Sequence, residues 1–205
     1  MDKASTEQRR GGAVTGLLLA GGLGRRMSAD GQGIDKGLQP FRGRPMAAHV
    51  LERLCPQVDA VLVSANANLD RWRAFGHPVL TDLVPGHAGP LAGLHAGLRA
   101  AETPRLVTVP CDSPFLPADL VVRLGAAMDG SASAVAVART PARAHPVFLM
   151  ADRSVLAHLE AFLETGRRRI DAWYGTLAHV EVEFPDEDAF RNINTPDDLR
   201  AFEPQ

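Results

Sequence analysis

Leu17-Leu18-Leu19-Ala20-Gly21-Gly22-Leu23-Gly24-Arg25-Arg26-Met27 decides the fold. Four apolar residues in a row, stopped by two glycines, fit a strand buried on both faces, as in a parallel sheet. Glycine lacks a Cβ, so the amides of the loop that follows are able to close on an anion and form a concavity for it. Arg25 and Arg26 add positive charge at the same place. In isolation the cluster reads equally as a turn with two solvated arginines.

Outward from that stretch, short apolar runs alternate with helical periodicity. The pattern predicts strands over 60–64, 78–81, 106–109, 134–138, 147–150 and 180–184. It predicts helices over 45–54, 69–75, 91–101, 117–128 and 154–163, the last capped by Ser154. Thr195 caps a final helix, with Pro196 at its first position. Gly93 and Gly97, four apart inside the 91–101 helix, weaken its propensity or mark a close helix–sheet approach. Such alternation predicts one open α/β sheet with right-handed crossovers. Residues 1–12 read as a loose tail and 13–205 as one domain, with the alanine-rich stretch 131–144 as the weakest boundary candidate. Ligands of such sheets bind at the carboxyl ends of the strands, so the residues just after each strand are the candidates for chemistry.

The composition limits the partners. In 205 residues, 22 Lys and Arg stand against 24 Asp and Glu. The resulting net charge of −2 argues against a nucleic-acid backbone as the main partner, yet leaves room for a small anion held by local cations. No apolar run approaches the ~18 residues that span a bilayer. Cys55 and Cys111 form no CxxC pair, so neither a zinc ribbon nor a redox motif is expected. These features predict a soluble cytoplasmic protein.

Two familiar phosphate loops are absent. No GxxxxGK with a following Ser or Thr occurs. Gly22-Leu23-Gly24 is followed by Arg25-Arg26-Met27 rather than xxG, and the second strand ends in Ser64-Ala65-Asn66 without an acid, so NAD is discounted. Lys36, in Asp35-Lys36-Gly37, reads on its own as half of a surface pair with Asp35, and behind the phosphate loop as a point cation that neutralises a phosphate. Asp112, just past the 106–109 strand and between Pro110 and Pro114, is placed to hold Mg²⁺, which takes one or two carboxylates plus substrate phosphates and water. Its alternative is a turn aspartate. Asn194 is a second candidate for the metal, or a turn residue. Cys111 reads as a packing residue. Of seven histidines only His145 looks placed for a ligand, and Arg167, Arg168 and Arg169 are either an anion site or a solvated charge run.

Together LAGGLGRRM (19–27), DKGL (35–38), GPLAGL (89–94), PCDSPFLP (110–117) and NINTPDDL (192–199) resemble the bacterial molybdenum cofactor guanylyltransferases, within the wider nucleotidyltransferase superfamily. The likeness runs from about residue 15 to 202, and His145-Pro146 and Gly166 to Arg169 make it more specific. It implies a single-domain, three-layer, Rossmann-like fold with a mostly parallel sheet. It implies GTP and Mg²⁺ as reagents and molybdopterin or its molybdenum form as acceptor, with cofactor-biosynthesis or molybdoenzyme chaperone proteins as further partners. By position, Leu19, Ala20, Gly21, Gly22 and Gly24 line the nucleotide, and Lys36 and Asp82 contact it. The family's nucleoside-contacting asparagine falls on Ser64 or Asn66. Arg25, Lys36 and Asp112 are the expected catalytic set, with Asp112 and Asn194 on the metal. His145, Arg167, Arg169 and Asn192 are the acceptor side. The segment 28–34 is longer than the family pattern. A CTP-dependent or sugar-phosphate relative, or a non-catalytic nucleotide-binding delivery protein, are the rival expectations.

Overall fold

A computed structural model describes residues 12–20, 35–84, 89–195, 197–198 and 200. The expected first strand is β1, Val14–Leu19, and all six of its residues are buried. Burial on both faces follows from its place inside a seven-stranded sheet. The other strands are β4 (Ala60–Ser64), β5 (Val79–Leu80), β6 (Arg105–Pro110), β7 (Val135–Arg139), β8 (Ala144–Asp152) and β9 (His179–Glu183), in the spatial order β5-β4-β1-β6-β8-β7-β9. A small hairpin, β2 (Pro40–Phe41) and β3 (Arg44–Pro45), stands apart.

Of the six neighbour pairs, β5·β4, β4·β1, β1·β6 and β7·β9 are parallel, so the sheet is mostly parallel as expected. The exception is β8, antiparallel to both β6 and β7. A tight turn causes this: Thr140 and Arg143 exchange backbone hydrogen bonds of 2.8 and 3.2 Å, folding β8 back on β7. The alanine-rich stretch 131–144 is thus part of the sheet and marks no boundary.

Helices cover both faces. On one, α1 (Met46–Leu54) and α4 (Leu120–Asp129) pack with Leu18, Val63, Val107 and Trp72 of α2 (Leu69–Arg73). On the other, α3 (Pro90–Ala100), α5 (Leu156–Glu164) and α6 (Ile170–Tyr174) pack with Leu17, Leu19 and Leu106. Leu17, Leu18 and Leu19 alternate between these two cores, as side chains of a strand must.

Gly93 and Gly97 do mark a close approach. A Cβ at Gly93 would lie 2.6 Å from Leu19 Cδ2 and 2.7 Å from Ser64 Oγ, and one at Gly97 2.6 Å from Leu17 Cδ2. The helix propensity given up at these positions lets α3 sit directly on the sheet. One cap differs from expectation: Asp152, not Ser154, provides it, its Oδ1 accepting from Ser154 N at 2.8 Å and opening a 3-10 turn before α5. The 117–128 helix starts three residues later, at Leu120. No described helix is long and apolar enough to cross a membrane.

Candidate active site

From β1 the chain winds outward to β4 and β5, then returns across α3 to β6 on the other side of β1. The carboxyl ends of β1 and β6 therefore flank a topological switch point, where open α/β sheets form their ligand crevice. Three segments distant in sequence meet there.

The first is the turn after residue 34. Lys36–Leu38 form one 3-10 turn, closed by Leu38 N on Asp35 O at 3.1 Å. The second is Pro110 to Pro114, joined to β1 by Cys111 N donating to Leu19 O at 3.1 Å. The third is Asn192 to Thr195. Ile193 N donates to Asp112 O at 2.8 Å, and Ser113 Oγ donates to Asn192 Oδ1 at 2.7 Å. Ile193 itself is fully buried against Phe41 and Met46, with Phe115 packed alongside. Thr195 and Asp198 then cap the final turn reciprocally: Asp198 N donates to Thr195 Oγ1, and Asp198 Oδ2 accepts from Asn194 N and Thr195 N. These backbone bonds, with Asn194 N the foremost, hold the Asp198 carboxyl below its ordinary range.

Lys36 joins all three segments. Its Nζ donates to Asp112 Oδ2 at 3.1 Å and to Asn194 Oδ1 at 2.5 Å. The Asp112 side chain is only 11% exposed, so this charge pair is little screened. Two hard oxygens, one anionic, already converge on a cation here. This donor set suits Mg²⁺ completed by substrate phosphates and water. Among the described residues no group of three or more His, Cys, Asp or Glu is suited to a metal.

The remaining expected site residues fall into place unevenly. Gly21, Gly22, Gly24 and Arg25 lie outside the described residues. Leu19 O and Ala20 N are committed to the sheet, the latter donating to Ser64 O at 2.8 Å. Ser64 is 3% exposed, its hydroxyl under α3 at Gly93. Asn66 is exposed and locked to Asp82: its Nδ2 donates to Asp82 Oδ2 at 2.8 Å, and its Oδ1 accepts from Asp82 N at 2.9 Å. The pair stands past the carboxyl ends of β4 and β5, beside the crevice. Gly89 starts α3 at φ +65°, a left-handed value that favours glycine, with Pro90 at the first helical position.

Arg167 to Arg169 follow α5, which begins beside Pro104 at the opposite sheet edge and runs back along α3 for ~13 Å. Arg167 lies over the Phe162 ring at 4.6 Å, Arg168 donates to Leu163 O, and Arg169 pairs with Asp171. That pairing lowers the Asp171 carboxyl and raises the Arg169 guanidinium.

His145 sits in an aromatic cluster rather than at the open surface. It is buried, stacked on Phe190 at 4.6 Å, with Nε2 on Thr140 Oγ1 at 3.0 Å. Burial and Arg143 hold its pKa below the ordinary 6.5, partly opposed by Glu187. A neutral imidazole so placed contributes stability that is complete above about pH 6.5 and is lost as pH falls through the folded-state value. A His145→Gln variant should therefore show a shallower loss of thermal midpoint from pH 7.5 to 5.5 than the parent protein. Equal slopes would contradict this.

From sequence, Asp35 reads only as a surface pair with Lys36, and Trp72 and Ser113 carry no site signal; Trp72 had one clue, a large aromatic in a short helical segment that carries Asp70, Arg71 and Arg73. Cys111 is a packing residue as expected. It is buried, and that burial together with the Asp112 charge pushes its thiol well up.

A family model described as MobA-like NTP transferase domain matches residues 16–180. A molybdenum cofactor guanylyltransferase of Cupriavidus taiwanensis is 50% identical over 195 residues, covering 93% of this chain and 96% of that protein. One from Ralstonia nicotianae is 47% identical, covering 91% of this chain and 94% of its own length. Among solved structures, the molybdopterin-guanine dinucleotide biosynthesis protein A of Archaeoglobus fulgidus superposes with a TM-score of 0.72 at 24% identity, covering 91% of this chain and 95% of its own.

Proposed function

The chain belongs to the MobA-like NTP transferase family, and from that membership we propose that it transfers GMP from GTP to the terminal phosphate of molybdopterin or its molybdenum form. The products are the guanine dinucleotide cofactor and pyrophosphate. The observation that carries the reading is the bridge from Lys36 to Asp112 and Asn194 at the switch point, together with near-full-length identity of about half to guanylyltransferases.

An oxygen of the acceptor phosphate attacks the α-phosphorus of GTP. A new P–O bond forms there, and the bond from that phosphorus to the bridging oxygen of the β-phosphate breaks. A phosphate monoester is largely dianionic at neutral pH, its second pKa being near 6. It needs no general base, and the described residues that meet at the crevice are an ammonium, a carboxylate and an amide: Lys36, Asp112 and Asn194. The barrier is the approach of two anions, and the protein lowers it by positioning and neutralisation. Asp112 and Asn194 would hold Mg²⁺, which when bound supplies Lewis-acid neutralisation of the triphosphate.

Lys36, so close to those oxygens, presents its ammonium to the triphosphate. Gly21, Gly22, Gly24 and Arg25 cradle the phosphates, while Leu19 and Ala20 close the crevice floor with their backbone. Asn66 and Asp82 meet the nucleoside as one rigid pair, and Ser64 shapes the floor beneath. Arg167, Arg169, Asn192 and His145 form the acceptor side, His145 held in place by its stack on Phe190. The reaction takes place in the cytoplasm, and the product passes to a molybdoenzyme or its chaperone.

The test is incubation with molybdopterin, Mg²⁺ and each of the four NTPs in turn, with mass analysis of the product. GTP alone should give the dinucleotide. A cytosine product would support the CTP-dependent rival. GTP bound without any pyrophosphate formed would support the non-catalytic one.

A further inference from the structure

Lys36 is gripped at both ends, and its backbone end depends on a residue 36 positions further along the chain. Trp72 of α2 is fully buried, yet its indole Nε1 reaches out of the apolar core to donate to Asp35 Oδ2 at 2.9 Å. Asn68 Nδ2 approaches the same oxygen at 3.4 Å. The opposite edge of the indole abuts Gly37: a Cβ there would lie 2.6 Å from Trp72 Cη2 and 2.8 Å from Cys111 Cβ. The residues on both sides of Lys36 are thus fixed against one rigid ring.

Burial works against a charged Asp35 at this position. Its other oxygen, Oδ1, is buried with no hydrogen-bond partner among the described residues. Burial raises the pKa of this carboxyl despite the Trp72 and Asn68 bonds and nearby Arg71. Desolvating a carboxyl costs stability, and such local costs tend to persist where they fix something functional.

We propose that Trp72 and Asp35 are positioning residues for the transfer reaction: the indole–carboxylate bond sets the turn that delivers the Lys36 ammonium to Asp112 and Asn194. This rests on the function proposed above. Neither Trp72 nor Asp35 touches the substrate. Each acts only through Lys36.

The experiment is a mutant cycle on the full chain. It reads GTP turnover with molybdopterin and, separately, the GTP dissociation constant. Trp72→Phe keeps a ring and removes the donor, whereas Asp35→Ala removes the acceptor and leaves the core intact. A displaced reacting group of this kind costs roughly 10- to 100-fold, so each variant should lose that much turnover and weaken GTP binding. In a Lys36→Met background neither change should lower turnover or GTP affinity further, because the residue they position is gone. Trp72→Tyr, which restores a donor, should recover part of the loss.

A purely structural role predicts the opposite, with the same proportional loss in both backgrounds, and that result would overturn the proposal. So would a Trp72→Phe protein within twofold of the parent in both readouts. If the parent protein fails to transfer GMP at all, the functional reading falls, and the GTP-affinity cycle still decides the positioning role.

Discussion

Replacing Asp112 by alanine should cut GTP-dependent pyrophosphate release by at least about 10²–10³-fold, the usual loss when one charge-stabilising group is removed from a transfer site. The fold should survive the change. What ties Asp112 to the rest of the protein is its backbone carbonyl, which accepts from Ile193 N and is unaffected by the side chain. What the side chain contributes is a negative oxygen 3.1 Å from Lys36 Nζ. Asp112→Asn separates charge from hydrogen bonding, because an amide oxygen still accepts from Lys36 but carries no charge. Its activity should remain near that of the alanine variant. The checks are a pyrophosphate-release assay with Mg²⁺ and a thermal midpoint for each protein. Near-parental turnover by either variant would remove Asp112 from the reaction.

Gly37→Ala should combine lost stability with lost activity. The new Cβ would meet the Trp72 ring at 2.6 Å, Cys111 Cβ at 2.8 Å and Cys111 Sγ at 2.9 Å. None of these is the loose end of a flexible side chain. Trp72 is fully buried, and Cys111 is tied to Leu19 O through its own amide. The turn must therefore shift. Overpacking of this sort costs about 1–3 kcal/mol. For a chain of this size each kcal/mol lowers the thermal midpoint by roughly 2–4 °C. Lys36, the preceding residue, moves with the turn, so GTP turnover should fall more than the stability loss alone accounts for. Differential scanning calorimetry and the turnover assay, run below the variant's midpoint, test both halves.

Much of this architecture was legible in the sequence, for identifiable reasons. The β1 run before Gly21 reads as a two-sided buried strand because only a central parallel strand lacks a solvent face, and β4 and β6 flank it as a parallel pair. Gly93 and Gly97 gave an ambiguous signal, since propensity speaks against them while packing requires them. The antiparallel return of β8 was not legible. Strand periodicity carries no direction, and the Thr140–Arg143 turn lacks an Asn-Gly or Asp-Gly signature.

The site divides in the same way. Lys36, Asp112 and Asn194 were each found as short motifs after a strand or before a helix. That one ammonium touches both oxygens depends on Ile193 filling the Phe41–Met46 pocket, a contact 147 to 152 residues long in sequence that no local pattern encodes. The surroundings of His145 were not legible: the histidine stood out in the sequence, but the cluster of Phe148, Phe184 and Phe190 that packs around it is assembled from distant segments. Ser64 and Asn66 differ by register: the last residue of β4 lies under α3, and the residue two further on stands exposed.

We propose that the crevice between β1 and β6 grips a metal-bound GTP through Asp112, Asn194 and Lys36. A crystal structure of the protein with Mg²⁺ and a non-hydrolysable GTP analogue tests it most directly. The ion should sit on Asp112, with Lys36 Nζ and the triphosphate sharing that crevice. A nucleotide bound elsewhere, or bound there with Asp112 more than a water's width from the metal, would contradict it.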